Sequence, residues 1–180
     1  ISECLVGSEM CIRDSHDTEE GADYSILFPM ITAIPNCVAY HDERSKVGMG
    51  NHMLEVVDGN GEVKWVIVGM DSGNYNPIKH IGGYAYVQKE QINWYQEKIK
   101  EYEEKNPNFS ALLFMHIPLP EYHELWDMEI CYGKKREGIC SPKINSGFFA
   151  AMQEAGHTKG VFVGHDHIND FYGEMYGITS

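Results

Sequence analysis

Two short segments hold the side chains with the most chemistry. In "LLFMHIPLP" an apolar run is followed at once by His116. In "VFVGHDHIND" a second apolar run is followed by Gly164 and then by the His-x-His pair His165 and His167. Apolar runs this short, bounded by turn residues, suit buried strands, and each delivers an imidazole just past its carboxyl end. In layered α/β folds that end is where loops converge on rigid supports and ligands bind. Gly164 lets the backbone turn sharply there. Two imidazoles on one short loop can serve two adjacent metal ions, and imidazole suits zinc and iron, manganese less strongly. A strand-end histidine is more often a surface or satisfied core residue, so spacing alone leaves the metal and the structural readings both open.

The elements that must position these histidines follow from periodicity. Residues 23–32 space Ile26, Leu27, Met30 and Ile31 as a helix does, with Pro29 inside to kink or shorten it. "NHMLEVVDGNGEVKWVIVGMDSG" reads as a hairpin: two β-rich runs, Met53 to Val57 and Val63 to Met70, flank Asp-Gly and Asn-Gly turn chemistry. Lys89 to Lys105 is a helix with one apolar stripe of Ile92, Tyr95, Ile99 and Tyr102, ended by Asn106-Pro107-Asn108. Ser110 to Met115 and Lys159 to Val163 are the two buried strands. Between them, Ser146 to Ala155 reads as a helix with Phe148, Phe149 and Met152 inward, stopped by Gly156. This order predicts an α/β chain with layers built around one or two sheets.

Composition narrows the chemistry. With 180 residues, 43% of them hydrophobic, the chain suits one domain or most of one, with a real core. A formal charge of −13 repels phosphate backbones, which argues against nucleic acid bound on a basic face. Phosphate chemistry on such a surface needs local positive charge, and metal ions are one source. No apolar run reaches the length of a membrane span. The cysteines are Cys4, Cys11, Cys37, Cys131 and Cys140, and no Cys-x-x-Cys occurs. That usage argues against a thiolate zinc site and leaves the compartment open.

The front of the chain reads differently. Back-translated, "LVGSEMCIRDS" is similar to a sequencing-library transposase adapter read in frame. Residues 1–15 are therefore expected to be a non-native, adapter-derived tail.

"LLFMHIPLPEY" and "VFVGHDHIND" resemble the last two motifs of the calcineurin-like metallophosphoesterases, the isolated histidine and Gly-His-x-His. "MDSG", "GYAYVQKEQINWY" and "CYGKKREGICSPKINSG" are similar to one branch, the purple-acid-phosphatase-like proteins. The likeness covers nearly all of residues 16–180, expected to be a partial metallophosphoesterase domain. It implies an incomplete layered αββα sandwich and a centre of two divalent or trivalent ions (iron, zinc or manganese). The implied activity is hydrolysis of phosphomonoesters or diesters, on small-molecule or protein substrates.

By the same resemblance, His116 and His165 bind one ion, together with an Asn expected where Ser15 now stands, and His167 binds the other. His16 donates to the phosphate or protonates the leaving oxygen, and Asp17 fixes its loop. Asp166, Asn169 and Asp170 are expected to support or cap the loop. Asn51-His52 in "MGNHML" is read as strand, not as the family's Gly-Asn-His motif. By the same resemblance, the family's Asp-x-His and Gly-Asp-x-x-Asp motifs are expected to lie upstream of the native part, which then lacks the bridging Asp. The chain as written is therefore expected to bind metal weakly and turn over little. The alternatives are a catalytically silent binding module of the same fold, or a single-metal hydrolase of another class.

Overall fold

The computed structural model describes residues 24–180. Within them the elements run α1 (Tyr24–Thr32), β1 (His52–Val57), β2 (Val63–Gly69), α2 (Lys89–Lys105), β3 (Ser110–Phe114), α3 (Glu121–Met128), β4 (Cys131–Lys134), α4 (Phe148–Ala155), β5 (Thr158–Phe162), β6 (Asp170–Met175) and β7 (Ile178–Thr179). The strands form one mixed sheet in the order β1-β2-β3-β5-β7-β6-β4. Its centre is parallel, from β2 through β3 and β5 to β7, and both flanks are antiparallel. No helix among the described residues is long and apolar enough to cross a membrane.

The hairpin β1–β2 forms where turn chemistry predicts it. Asp58 Oδ1 accepts the N–H groups of Asn60 and Glu62, and Gly61 takes a positive φ of 80° that costs glycine little. α2 has the predicted limits, and all four stripe residues are buried. Its start is tied down by Gln91, whose Oε1 accepts the Gln88 N–H while its Nε2 donates to the Asp71 carbonyl at 2.7 Å. Its end is closed by Asn106, which donates to Val63 O. α4 stops at Gly156 as expected, with φ at 76°, and starts two residues later than predicted because Gly147 is left-handed at φ 77°.

Period-2 alternation sorts the two faces of the sheet. Val66, Val68, Ala111, Leu113 and Val161 are fully buried and share one apolar cluster with Ile92, Tyr95 and Ile99 of α2 and Phe148 and Met152 of α4. Tyr95 meets Phe148 edge-on, ring centroids 5.3 Å apart, and its hydroxyl bonds Thr158 Oγ1 of β5. The opposite face carries Trp65, Ile67, Leu112, Phe114 and Phe162, with Trp65 and Phe162 each 41% exposed. The described residues thus give one sheet covered by helices on one face, and they contain no second sheet.

Four elements were not anticipated. α3 is only eight residues long and follows Pro120. β4 contains Gly133, where a Cβ would sit 2.1 Å from Asp170 O, so glycine marks close backbone approach to β6 and not a loop. β6 and β7 are joined through Tyr176 and Gly177, both at positive φ, as a tight hairpin requires. In α1 the apolar spacing gives a helix, with Pro29 inside it, but not an inward stripe. Ile26 and Met30 are exposed and Phe28 is the buried side chain. Gly50, at φ 75°, makes room for Phe28: a Cβ there would lie 2.5 Å from its ring.

Candidate metal centre at the strand tips

Three adjacent parallel strands, β2, β3 and β5, end at the same edge of the sheet, and the ladder continues past them. Met70 N donates to Phe114 O, Met115 N to Phe162 O, and Gly164 N to His116 O. This extension holds His116 and His165 side by side on neighbouring tips. His116 is buried, and Ile117 N beside it donates to Ser72 Oγ of the β2 tip at 3.0 Å. The chain then turns back at once, with Asp166 N donating to Gly164 O at 2.7 Å around His165. His165 itself sits at φ 58°, a costly region for a non-glycine residue, and one where strain is tolerated at functional sites.

The result is close approach of two imidazoles. His165 Nδ1 stands 3.1 Å from His116 Nε2, the rings nearly perpendicular with centroids 5.0 Å apart. Tyr84 packs edge-on against His165 at 4.4 Å between centroids, and Tyr75 stacks on Tyr84. His167 is exposed on the same loop, and among the described residues it joins no group of three metal-ligating side chains. His16, Asp17 and Ser15 lie outside the described residues.

The acidic and amide side chains of this loop bind backbone. Asp166 accepts the Cys140 N–H at 3.2 Å and the Asn169 amide at 3.2 Å. Asn169 Oδ1 accepts the N–H groups of Arg136 and Glu137, while Glu137 Oε1 accepts the N–H of Ile168. The loop after β5 is thereby laced to the loop after β4. Asp170 opens β6 opposite Lys134. Asn51 and His52 are structural in the same sense. Both are buried; Asn51 bonds Ser45, Val47 and Asp71, and His52 Nδ1 lies 2.7 Å from Gly50 O at the start of β1.

Two neighbours of His165 escaped the sequence. Tyr84 lay in a segment noted only for resemblance. Cys140 reaches the site across 26 residues from Asp166, and no local spacing announces a contact between two loops. Burial, then the adjacent Asp166 carboxylate, pushes the Cys140 thiol above its ordinary range.

Comparison with known proteins bears on the family. No family model matches the chain. No solved structure matches it. Among curated proteins it is 32% identical to "Probable inactive purple acid phosphatase 14" of Arabidopsis thaliana, over 94% of this chain and 47% of that protein. It is 31% identical to "Probable inactive purple acid phosphatase 29" of the same plant, over 94% of this chain and 48% of that protein. "Phosphatase DCR2" of Saccharomyces cerevisiae is 29% identical over 87% of this chain and 29% of its own length. The chain spans about half the length of the Arabidopsis relatives. Over the part it spans, with its strand-tip histidines in an α/β sheet, the chain belongs to the purple-acid-phosphatase-like branch of the metallophosphoesterases.

Proposed function

We propose that His116, His165 and His167 form part of a metal-dependent phosphoesterase centre acting on phosphomonoesters or diesters. The observation that carries this reading is the 3.1 Å separation of His116 Nε2 and His165 Nδ1. Two nitrogens each about 2.0–2.1 Å from one zinc ion at a tetrahedral angle stand about 3.3 Å apart. The pair therefore fits a shared cation with almost no movement, and two neutral imidazoles are a donor set that zinc and iron accept. His116 and His165 would hold one ion and His167 the second, with iron, zinc or manganese as the candidates. When bound, such ions lower the pKa of coordinated water and neutralise phosphoryl charge. The chain's own part is to fix His116 by burial and His165 by its turn. His16 is proposed as the proton donor to the leaving oxygen.

Catalytic zinc usually takes three protein ligands, and His116 with His165 makes two. The 180-residue chain by itself is therefore proposed to bind metal weakly and to turn over little. The test is hydrolysis of an aryl phosphate, with metal content, on the full-length protein. His165→Ala should lower turnover more than about a hundredfold, since even residues that merely support a ligand cost about 10–100-fold. Unchanged turnover would reject the enzymatic reading.

A second reading is favoured by the word "inactive" in the names of the Arabidopsis relatives. In it the same centre binds a phosphoryl group without cleaving it. Two ions per chain with phosphate affinity and no turnover would support that reading over the first.

A further inference from the structure

Cys140, His165 and Asp166 each bring one donor atom, a sulfur, a nitrogen and an oxygen, and these atoms all lie within 4.8 Å of one another. They come from two separate loops, and the grouping does not include His116. His165 is thus shared between a nitrogen partner on the β3 tip and a thiol–carboxylate pair on the loop side. We propose that Cys140, His165 and Asp166 form a mixed site for a thiophilic divalent cation of the zinc or cadmium class, which recruits His165 without His116.

The donor chemistry selects that class. A thiolate is soft and favours zinc-like ions over magnesium, calcium or manganese, while imidazole and carboxylate complete a borderline set. Three protein ligands with one open position is the usual count for an accessible zinc ion. On one zinc, sulfur and nitrogen ligands stand about 3.6 Å apart, so rotation of the Cys140 and Asp166 side chains can close the present spacing. Asp166 accepts two N–H groups, and a carboxylate has about four lone-pair sites, so acceptor capacity remains for a cation. On binding, the Cys140 S–H gives its proton to water as the sulfur–metal bond forms. One thiolate, one carboxylate and a divalent ion then sum to no net charge, which suits a half-buried position. No Cys-x-x-Cys exists to mark this site, because it uses one thiol and not two. The proposal rests on the packing of the two loops and does not require the hydrolytic reading.

The experiment is a cobalt(II) titration of the full-length protein, followed in the near ultraviolet for sulfur-to-cobalt charge transfer. The band should appear in the wild type and in His116→Ala, and be lost in Cys140→Ser and His165→Ala. Cadmium affinity should fall at least tenfold in Cys140→Ser. Should Cys140→Ser fail to fold, alkylation of Cys140 in the wild type gives the same answer. Cadmium should slow it at least tenfold, with the site located by peptide mass spectrometry. Absence of the band at saturating cobalt, its survival in Cys140→Ser, its loss in His116→Ala, or alkylation indifferent to cadmium would each overturn the proposal. Aryl phosphate hydrolysis measured on the same variants reports separately on the function proposed above.

Discussion

Asn51 offers the sharpest separation of scaffold from catalyst. It is fully buried just before β1. Its Nδ2 donates to Ser45 Oγ and to Val47 O, both at 2.8 Å, and its Oδ1 accepts the Asp71 N–H at 2.6 Å. Asp71 leads directly to Ser72, which accepts the N–H of Ile117 beside His116. Asn51→Ala removes these three short hydrogen bonds and a longer one, at 3.5 Å, that Gln91 Nε2 donates to Asn51 Oδ1. Ser45 Oγ already donates to Val47 O at 3.1 Å, so those two groups partly satisfy each other, and about 1 kcal/mol is lost for each bond. The Asp71 N–H loses its acceptor, which costs about 1–3 kcal/mol more. The expected loss is therefore about 4 kcal/mol. With a urea slope of about 2 kcal/mol per molar, the unfolding midpoint should fall by about 2 M with the slope unchanged. Asn51→Asp keeps the acceptor but turns an oxygen toward the Val47 carbonyl, and should lose stability too. A variant that unfolds at the wild-type urea concentration yet loses hydrolysis or bound metal would refute this account and restore Asn51-His52 as a catalytic motif.

Two further outcomes follow from buried groups elsewhere. Burial raises the Tyr95 phenol from its ordinary 10 to about 12, the bond with Thr158 pulling the other way. The fold therefore favours the neutral phenol. Its stabilising share is complete below pH 10 and is lost as pH rises toward 12, by about 1.4 kcal/mol at pH 11. Tyr95→Phe should cost about 1 kcal/mol at neutral pH for the lost hydrogen bond and flatten the alkaline decline by that 1.4 kcal/mol, read from urea midpoints at pH 8 and 11. Tyr102 and Tyr122, raised by burial as well, keep the rest of the slope, and an unchanged decline would contradict the assignment. Asn169→Ala should free the amides of Arg136 and Glu137, accelerating their hydrogen exchange about tenfold or more. Exchange at wild-type rates would show that the two loops are held by other means.

What the sequence discloses tracks how local the cause is. α2 was legible because Ile92, Tyr95, Ile99 and Tyr102 repeat at a helical period and all face one core. The β1–β2 hairpin was legible because Asp58 and Gly61 dictate the turn within five residues. β3 and β5 were legible as short apolar runs, and with them the positions of His116 and His165. β4 was not, because Gly133 reads as a loop residue until its neighbour strand is known. Nor was the inward turn of Phe28, which depends on a space at Gly50. The packing of Tyr84 and Cys140 near His165 depends on contacts between distant loops, and neither periodicity nor spacing encodes those.

Among the described residues, the open face of the sheet and the proposed metal centre share one edge. Trp65, Ile67, Leu112, Phe114 and Phe162 present apolar surface opposite α2 and α4, with Phe114 and Phe162 stacked at 4.9 Å between centroids. Burying such side chains fully is worth about 1.5–3 kcal/mol each, so covering this face would be a major share of any fold's stability. The strand tips bearing His116 and His165 are the edge of that same sheet, where any layer packed on the open face would also end. Were such a layer to bring a ligating side chain to that edge, it would raise the ligand count of the histidine pair toward three. On this argument apolar burial and metal affinity are linked: an ion bound by both layers favours their docking by the free energy of its own coordination.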